Sequence, residues 1–267
     1  MKKVEEKKRG DAFCQRISTA VWKEVPDSDN PFQIAEARCH GYEHLALVNN
    51  GSFSDVLFLL MKGELPNPEQ SLLFDKLLIS IIHPGPRHNA SRAAMNAAVT
   101  KTNVSHVIPL ALNVFSGEFL GSHEVFNCMK YLERNIKLIP SDVAADAFKR
   151  LLDVEGDKNP APGFGTVYGD KDPYSQKLAD NISSTCETGK YFSWACLFAN
   201  ALSEENCGWR MTGLFAAGMK DLGFTPYEGE MIFQIGSAPG IAAQAAEKFG
   251  RPITDMPFIP EENYVIE

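Results

Sequence analysis

The chain has 267 residues, of which 44% are apolar and 22% charged, with a formal net charge of −8. That length and apolar content suffice for one large domain or two moderate ones with a full core, which excludes a disordered protein. The acidic balance excludes general nucleic-acid or anionic-membrane binding as the main task, while leaving room for a local basic pocket that takes a phosphate.

The opening MKKVEEKKRGD is charged and reads as a solvated terminus rather than a leader. No apolar run reaches the ~18 residues that a membrane span needs. A soluble, cytoplasmic protein is the expectation. Cys14, Cys39, Cys128, Cys186, Cys196 and Cys207 form no C-x-x-C pair, so reduced, buried thiols are expected rather than a disulfide framework or a metal site.

Further along, Phe53 to Met61 is an apolar helix opened by Ser52 or Ser54 and stopped by Gly63 and Pro66. Asn67 and Pro68 start the next helix as N-cap and first residue, with Leu72, Leu73, Leu77, Leu78 and Ile81 at helical spacing. Pro84-Gly85-Pro86 ends it. Ser91 to Val99 is alanine-rich, which suits close helix contact, and Val107, Ala111, Leu112 and Phe115 continue the pattern. Ser141 to Leu152 is amphipathic, with Lys149 and Arg150 placed favourably for the helix dipole. A Gly/Pro-rich loop runs from Gly156 to Pro173. Helical spacing returns from Ser175 to Ser203 and again from Arg210 to Leu222, closed by Gly223. Thr225 opens a last helix to Pro239-Gly240, followed by an alanine-rich turn to Phe249. No strand shows convincing period-two alternation, and the class is all-α.

Several motifs stand in a fixed order along this frame. They are Gly41-Tyr42 with Ser52-Phe53-Ser54-Asp55-Val56 and Gly63-Glu64-Leu65-Pro66; Ile82-His83 with Asn89-Ala90-Ser91; and Gly163-Phe164-Gly165-Thr166-Val167-Tyr168 with Asp172-Pro173-Tyr174. Leu222-Gly223-Phe224, Ile232-Phe233, Pro239-Gly240 and Arg251-Pro252 follow. Together they resemble the citrate synthase superfamily, and more closely its short citryl-CoA lyase-like members. The resemblance implies a two-domain helical fold, with residues 1–122 and 216–267 in the large domain and 123–215 in a small domain that closes over coenzyme A. It also implies a dimer, either of two copies or with a citrate-synthase-like paralogue. Such proteins make or break a carbon–carbon bond beside a thioester. A carboxylate takes the α-proton, one histidine stabilises the enol, a second polarises the acceptor carbonyl, and arginines hold carboxylates.

The chain departs from that chemistry at five places. Leu120 or the adjoining Gly121 stands where the first histidine belongs, and Thr166 where the second does. Thr212, or Cys207-Gly208 on the other alignment, takes the aspartate's place. Tyr174 and Ser237 replace two arginines. Threonine and leucine supply no acid–base group near neutral pH, so citrate synthesis or cleavage by the usual route is not expected.

Two histidines remain as candidate catalytic groups. His83 is a donor to a substrate oxygen or else a structural histidine at a helix end. His123, beside Glu124, is a displaced replacement or else an exposed or interface residue. Leu120, Thr166, Tyr168, Tyr174, Arg210, Thr212 and Ser237 are the expected substrate-pocket residues. Arg87, His88 and Arg92 form a small basic group suited to a carboxylate or a CoA phosphate, or a solvated helix start. Arg210 holds an anion or pairs with Glu204 or Glu205. Asp172 caps the helix after Pro173. Gly163, Phe164 and Gly165 are the expected cofactor contact, because the glycines let backbone approach a ligand closely. CoA or an acyl-CoA is the expected ligand, with no metal. Two functions follow from the resemblance: a CoA-thioester lyase or synthase for a non-citrate, less carboxylated acyl group, or a non-catalytic subunit paired with an active relative.

Overall fold

The computed structural model describes residues 13, 14, 16–149, 151 and 156–264, so the charged opening, Arg150 and Leu152 lie outside the described residues. Its contacts form two compact units, one ending at Leu65 and one beginning at Pro66.

The first unit contains a small antiparallel sheet, β1 (Trp22–Pro26), β2 (Ile34–Cys39) and β3 (Tyr42–Glu43), then helices α1 (His44–Asn50) and α2 (Phe53–Lys62). Trp22 pairs with Cys39 and Glu24 with Ala37, and the register slips at Val25/Pro26. The all-α expectation missed this sheet. Its strands are largely exposed on both faces, so no apolar alternation was needed to make them. Cys39, Leu47 and Leu59 form a small core with Tyr42, Val56 and Leu60. Ser52 caps α2 by accepting from Asp55 N–H, and Gly63 closes it in the left-handed region.

The second unit is helical: α3 (Pro68–Ser80), α4 (Asn89–Val99), α5 (Val104–Phe115), α6 (Ser122–Asn135) and α7 (Pro140–Lys149) precede the long loop. A two-residue strand β4 (Phe164–Gly165) in that loop pairs with β5 (Gly208–Trp209), and between them lie α8 (Pro173–Thr185) and α9 (Lys190–Leu202). α10 (Met211–Asp221) and α11 (Pro226–Lys248) complete it. The expected caps are present. Asn67 and Gln70 form a reciprocal capping box with Pro68 in the first turn, and Asp172 accepts from Tyr174 N–H at the start of α8. The alanines of α4 are buried against α5 and α11, so this chain itself consumes that close-packing face. The cysteines are all free, but only Cys39, Cys128 and Cys207 are buried, while Cys14 is exposed.

α11 continues through Pro239 for 23 residues instead of stopping there. Proline supplies no N–H, and the next donor, Gly240 N–H, binds the Ile82 carbonyl beyond the end of α3 at 3.0 Å. Ser237 Oγ donates to the neighbouring Ile81 carbonyl at 2.9 Å. A Cβ on Gly240 would meet His83 Cα at 2.6 Å, so glycine is what lets α11 dock on this segment.

Two tethers fix the segment between α5 and α6. Glu124, 1% exposed, is bonded by four donors. Gly163 N–H and Arg210 Nη1 reach Oε1 at 3.1 and 2.8 Å, and Leu120 N–H and Thr212 Oγ1 reach Oε2 at 2.9 and 2.8 Å. His88 caps α4 through Nδ1, which accepts from Ala90 N–H at 3.1 Å. Its proton must then sit on Nε2, which donates to the Leu120 carbonyl at 3.2 Å. Burial pushes the His88 pKa below its ordinary value.

Glu124→Ala should lose about 3–5 kcal/mol of unfolding free energy, because it leaves the Arg210 guanidinium buried without its counter-charge. Urea unfolding measures this, and a loss below about 1 kcal/mol would deny Glu124 that role. For His88 the fold favours the neutral ring, so the unfolded chain takes up the proton first as pH falls. Its contribution is therefore complete above pH about 6.5 and declines below it. Unfolding at pH 8 and pH 5.5 should show a smaller drop for His88→Asn than for the parent chain; equal drops would exclude His88 as the titrating group.

Candidate functional site

The second unit encloses a cavity of about 1280 Å³. One side comes from α3 and the segment after it (Lys76 to His88), with Phe115, Leu120, Phe233 and Ser237. The other comes from Val167 to Tyr174, one face of α8, Asn206, Met211 and Thr212. The floor is apolar because buried faces of α3, α5 and α11 meet there. Ile81, Phe115 and Phe233 are each at most 3% exposed.

Polar atoms at the floor are committed to the protein. Thr212 Oγ1 donates to Glu124, Ser237 Oγ to Ile81 O, and Ser80 Oγ to Leu77 O. At the rim, both carboxylates are engaged. Asp172 caps α8 and accepts from Ser175 Oγ, and Asp170 accepts from Asn206 Nδ2 at 2.6 Å. By contrast, neither Arg87 nor Lys171 forms an ion pair among the described residues, and both line the cavity. Those two cations can meet an anionic group.

His83 lies at the edge of the cavity with a defined proton position. Nδ1 accepts from Gly85 N–H at 2.8 Å, so Nε2 carries the hydrogen and faces Gln244 Oε1 at 3.2 Å. It is a hydrogen-bond donor in this state and has no lone pair free to act as a base. Tyr168 and Tyr174, both exposed, stand at the mouth, and Tyr168 has a left-handed backbone with φ of 56°.

The structure therefore brings His83, Leu120, Tyr168, Tyr174, Thr212 and Ser237 around one cavity. Other expected site residues lie elsewhere. His123 Nδ1 faces Glu230 Oε1 at 3.2 Å and its ring stacks on Phe126, away from the cavity lining. Thr166 is buried and bonds Asp157 Oδ1 at 2.9 Å and Lys158 N–H at 2.8 Å. The Gly169 N–H, foremost, holds the Asp157 carboxyl below its usual range, which staples the loop below Tyr168.

Arg210 pairs with Glu124, not with Glu204 or Glu205; Glu205 pairs with Lys158 at 3.3 Å instead. Its other donors go to Asn159 Oδ1 and the carbonyls of Lys158 and Thr166, and Phe119 covers its face at 4.7 Å. All five of its N–H groups point into protein, so none is left for a ligand. Gly163, Phe164 and Gly165 do not line the cavity. A Cβ on Gly163 would meet Gly213 Cα at 2.5 Å, so that glycine serves the approach of the loop backbone to α10. Of the basic group, Arg87 and His88 line the cavity and Arg92 does not.

Sequence reasoning missed Phe115, Met211 and Phe233, whose helical spacing is indistinguishable from ordinary core. It also missed Lys171, an isolated loop lysine with no pattern around it. Among the described residues, no group of three His, Cys, Asp or Glu is placed to hold a metal, and no helix is long and apolar enough to cross a membrane.

No family profile matches the sequence, and a search of curated proteins finds no relative. Solved structures do match. Citryl-CoA lyase from Hydrogenobacter thermophilus is 23% identical, with 94% of each chain covered and a TM-score of 0.75. ATP citrate lyase from Methanosaeta concilii, a D541A mutant in complex with (3S)-citryl-CoA, is 14% identical over 92% of this chain and 43% of its own, with a TM-score of 0.67. Citrate synthase from Thermotoga maritima is 19% identical over 80% of this chain and 62% of its own, with a TM-score of 0.60. The chain thus has the mostly helical fold shared by citryl-CoA lyase and citrate synthase, at the length of the Hydrogenobacter lyase.

Proposed function

We propose that this chain binds a CoA thioester in the 1280 Å³ cavity and makes or breaks a carbon–carbon bond beside the thioester carbonyl, on an acyl substrate other than citrate. The observation that carries this reading is His83 Nε2–H, a donor fixed by the Gly85 bond to Nδ1 at the edge of an apolar cavity, whose present partner, Gln244 Oε1 at 3.2 Å, a substrate oxygen would replace. A developing enolate or acceptor oxygen would be stabilised by such a preorganised donor once a closing small domain excludes water. The fold supports the ligand class, since a solved structure that shares it holds (3S)-citryl-CoA. Non-citrate specificity is supported by Leu120, Thr212, Tyr174 and Ser237 around the cavity and by a wholly committed Arg210, which leave no arginine at the floor to hold carboxylates.

CoA contact falls, in this reading, to the stretch from Val167 to Tyr174 and to Arg87 and Lys171. The Gly163-Phe164-Gly165 turn supports that stretch from behind. The cavity lies between residues up to 122 with those from 216, and residues 123–215, consistent with a small domain that closes over the ligand.

One observation favours a second reading, a non-catalytic subunit. Both imidazoles at the cavity, His83 and His88, use Nδ1 as an acceptor within the protein, and its two carboxylates, Asp170 and Asp172, stand at the rim and already accept hydrogen bonds from protein groups. Partner contact would fall to the exposed apolar rows on α5 (Val104, Leu110, Val114) and α11 (Tyr227, Met231, Ile235), since the alanines of α4 are buried within the chain. The partner is then a second copy or a citrate-synthase-like paralogue.

Incubation of the chain with CoA thioesters and 2-oxo acids, read by mass spectrometry, should show a carbon–carbon product. His83→Ala should lower kcat by about 100-fold or more, and His83→Gln, which keeps a donor, should retain more of it. Turnover unchanged in His83→Ala would sink the assignment of His83. Purification from the native source should yield a bound acyl-CoA; a stoichiometric paralogue without thioester or turnover would replace the first reading with the second.

A further inference from the structure

We propose that Leu120 sets which acyl group the cavity takes, and that His88 and Glu124 are positioning residues that hold it in place. This rests on the acyl-thioester reading above and names its substrate class: an uncharged, apolar acyl chain.

The starting observation is a backbone outlier. Leu120 has φ of 56°, in the left-handed region that L side chains other than Asn and Asp seldom occupy. Such a conformation persists only where the surroundings over-determine it, and it is most often found at functional sites. Here the surroundings are explicit. The Leu120 N–H donates to Glu124 Oε2 at 2.9 Å and its carbonyl accepts from His88 Nε2 at 3.2 Å. Both partners are themselves fixed. Glu124 accepts three further bonds, and His88 caps α4 and packs edge-on against Phe115.

Leu120 lines the cavity, and both of its backbone polar groups are occupied. What it offers a ligand is therefore its isobutyl group alone. The adjoining floor is of the same kind: Phe115, Phe233 and Met211, with the Thr212 and Ser237 hydroxyl hydrogens already donated to protein. A carboxylate on the acyl group would lose its water there and find no donor in exchange. An aliphatic acyl chain meets no such penalty, and its length is limited by the side chain that the two tethers hold against the floor. Three cations line the cavity without an ion pair among the described residues: Arg87 and Lys171, on the segments that form the rim, and Lys76 on α3, whose Nζ donates to Thr185 Oγ1. They are suited to the CoA end of the molecule.

Leu120→Gly tests the assignment without endangering the fold, because glycine adopts this backbone conformation freely. Calorimetric titration of the full chain would use acetyl-, butanoyl-, hexanoyl-, octanoyl- and succinyl-CoA. The preferred length should move to a longer chain in the variant, with affinity for the longer esters rising about fourfold per added methylene accommodated. Leu120→Ala, which keeps the left-handed strain, should shift the same way and so separate lost bulk from relieved strain. Butanoyl-CoA should bind more tightly than succinyl-CoA in every variant. His88→Asn should flatten the length preference, lowering affinity for the preferred ester more than affinity for unacylated CoA; a merely structural role would weaken every ligand alike. A length profile identical in the parent chain and in Leu120→Gly overturns the assignment of Leu120, as does succinyl-CoA binding better than butanoyl-CoA. If the parent chain binds none of these thioesters, the acyl-thioester reading itself falls.

Discussion

A carboxylate buried to 1% exposure survives only when its charge is matched and its lone pairs are filled, and Glu124 meets both conditions with donors from the adjoining turn and from two distant stretches of chain. Arg210 supplies the counter-charge from the start of α10. Gly163 brings in the long loop, Thr212 fixes the first turn of α10, and Leu120 fixes the turn before α6. Each of these lies on or next to a segment that lines the cavity. Desolvating the ion pair is itself costly, but once both charges are buried a rearrangement that separates them without rehydration is penalised further.

The same economy explains the character of the cavity. Residues that would ordinarily present hydrogen-bond donors to a ligand instead complete the internal network: Thr212 to Glu124, Ser237 to the end of α3, Arg210 to the loop carbonyls. The floor is left apolar and the charges are left at the rim. A cavity of this kind in the fold of citryl-CoA lyase separates two properties that resemblance alone joins. In the proposed reading the scaffold accounts for thioester binding, and the side chains decide which acyl group fits.

Much of the helical frame was legible because its signals are local. Asn67-Pro68 with Gln70, Ser52 before Phe53, and Asp172 before Pro173 mark helix starts through bonds that close within four residues. The hairpin of the first unit was not legible, because strands exposed on both faces carry no alternation. Nor was the passage of α11 through Pro239, where a carbonyl at Ile82, far away in sequence, takes the bond from Gly240 N–H. The site divides in the same way. His83, Tyr168 and Tyr174 were visible as polar or aromatic residues in marked loops, whereas Phe115, Met211 and Phe233 look like any other core residues.

By itself the sequence determined the helices, their caps and the ordered motifs that place the chain on a citrate-synthase-type scaffold, since propensity, capping and spacing act over a few residues. Together with that resemblance it also led to the expectation that the usual acid–base and carboxylate-holding groups are replaced at five positions. Tertiary structure alone decided what those replacements and their neighbours do. Arg210 was expected to hold an anion or to pair with Glu204 or Glu205, and its partner proved to be Glu124, 86 residues earlier in the chain. The Gly163 turn looked built for a ligand until α10 was seen packed on it. Leu120 looked like a simple loss until its backbone was found held from both sides. Burial and long-range hydrogen bonding make those assignments, and neither is encoded in any short window of residues.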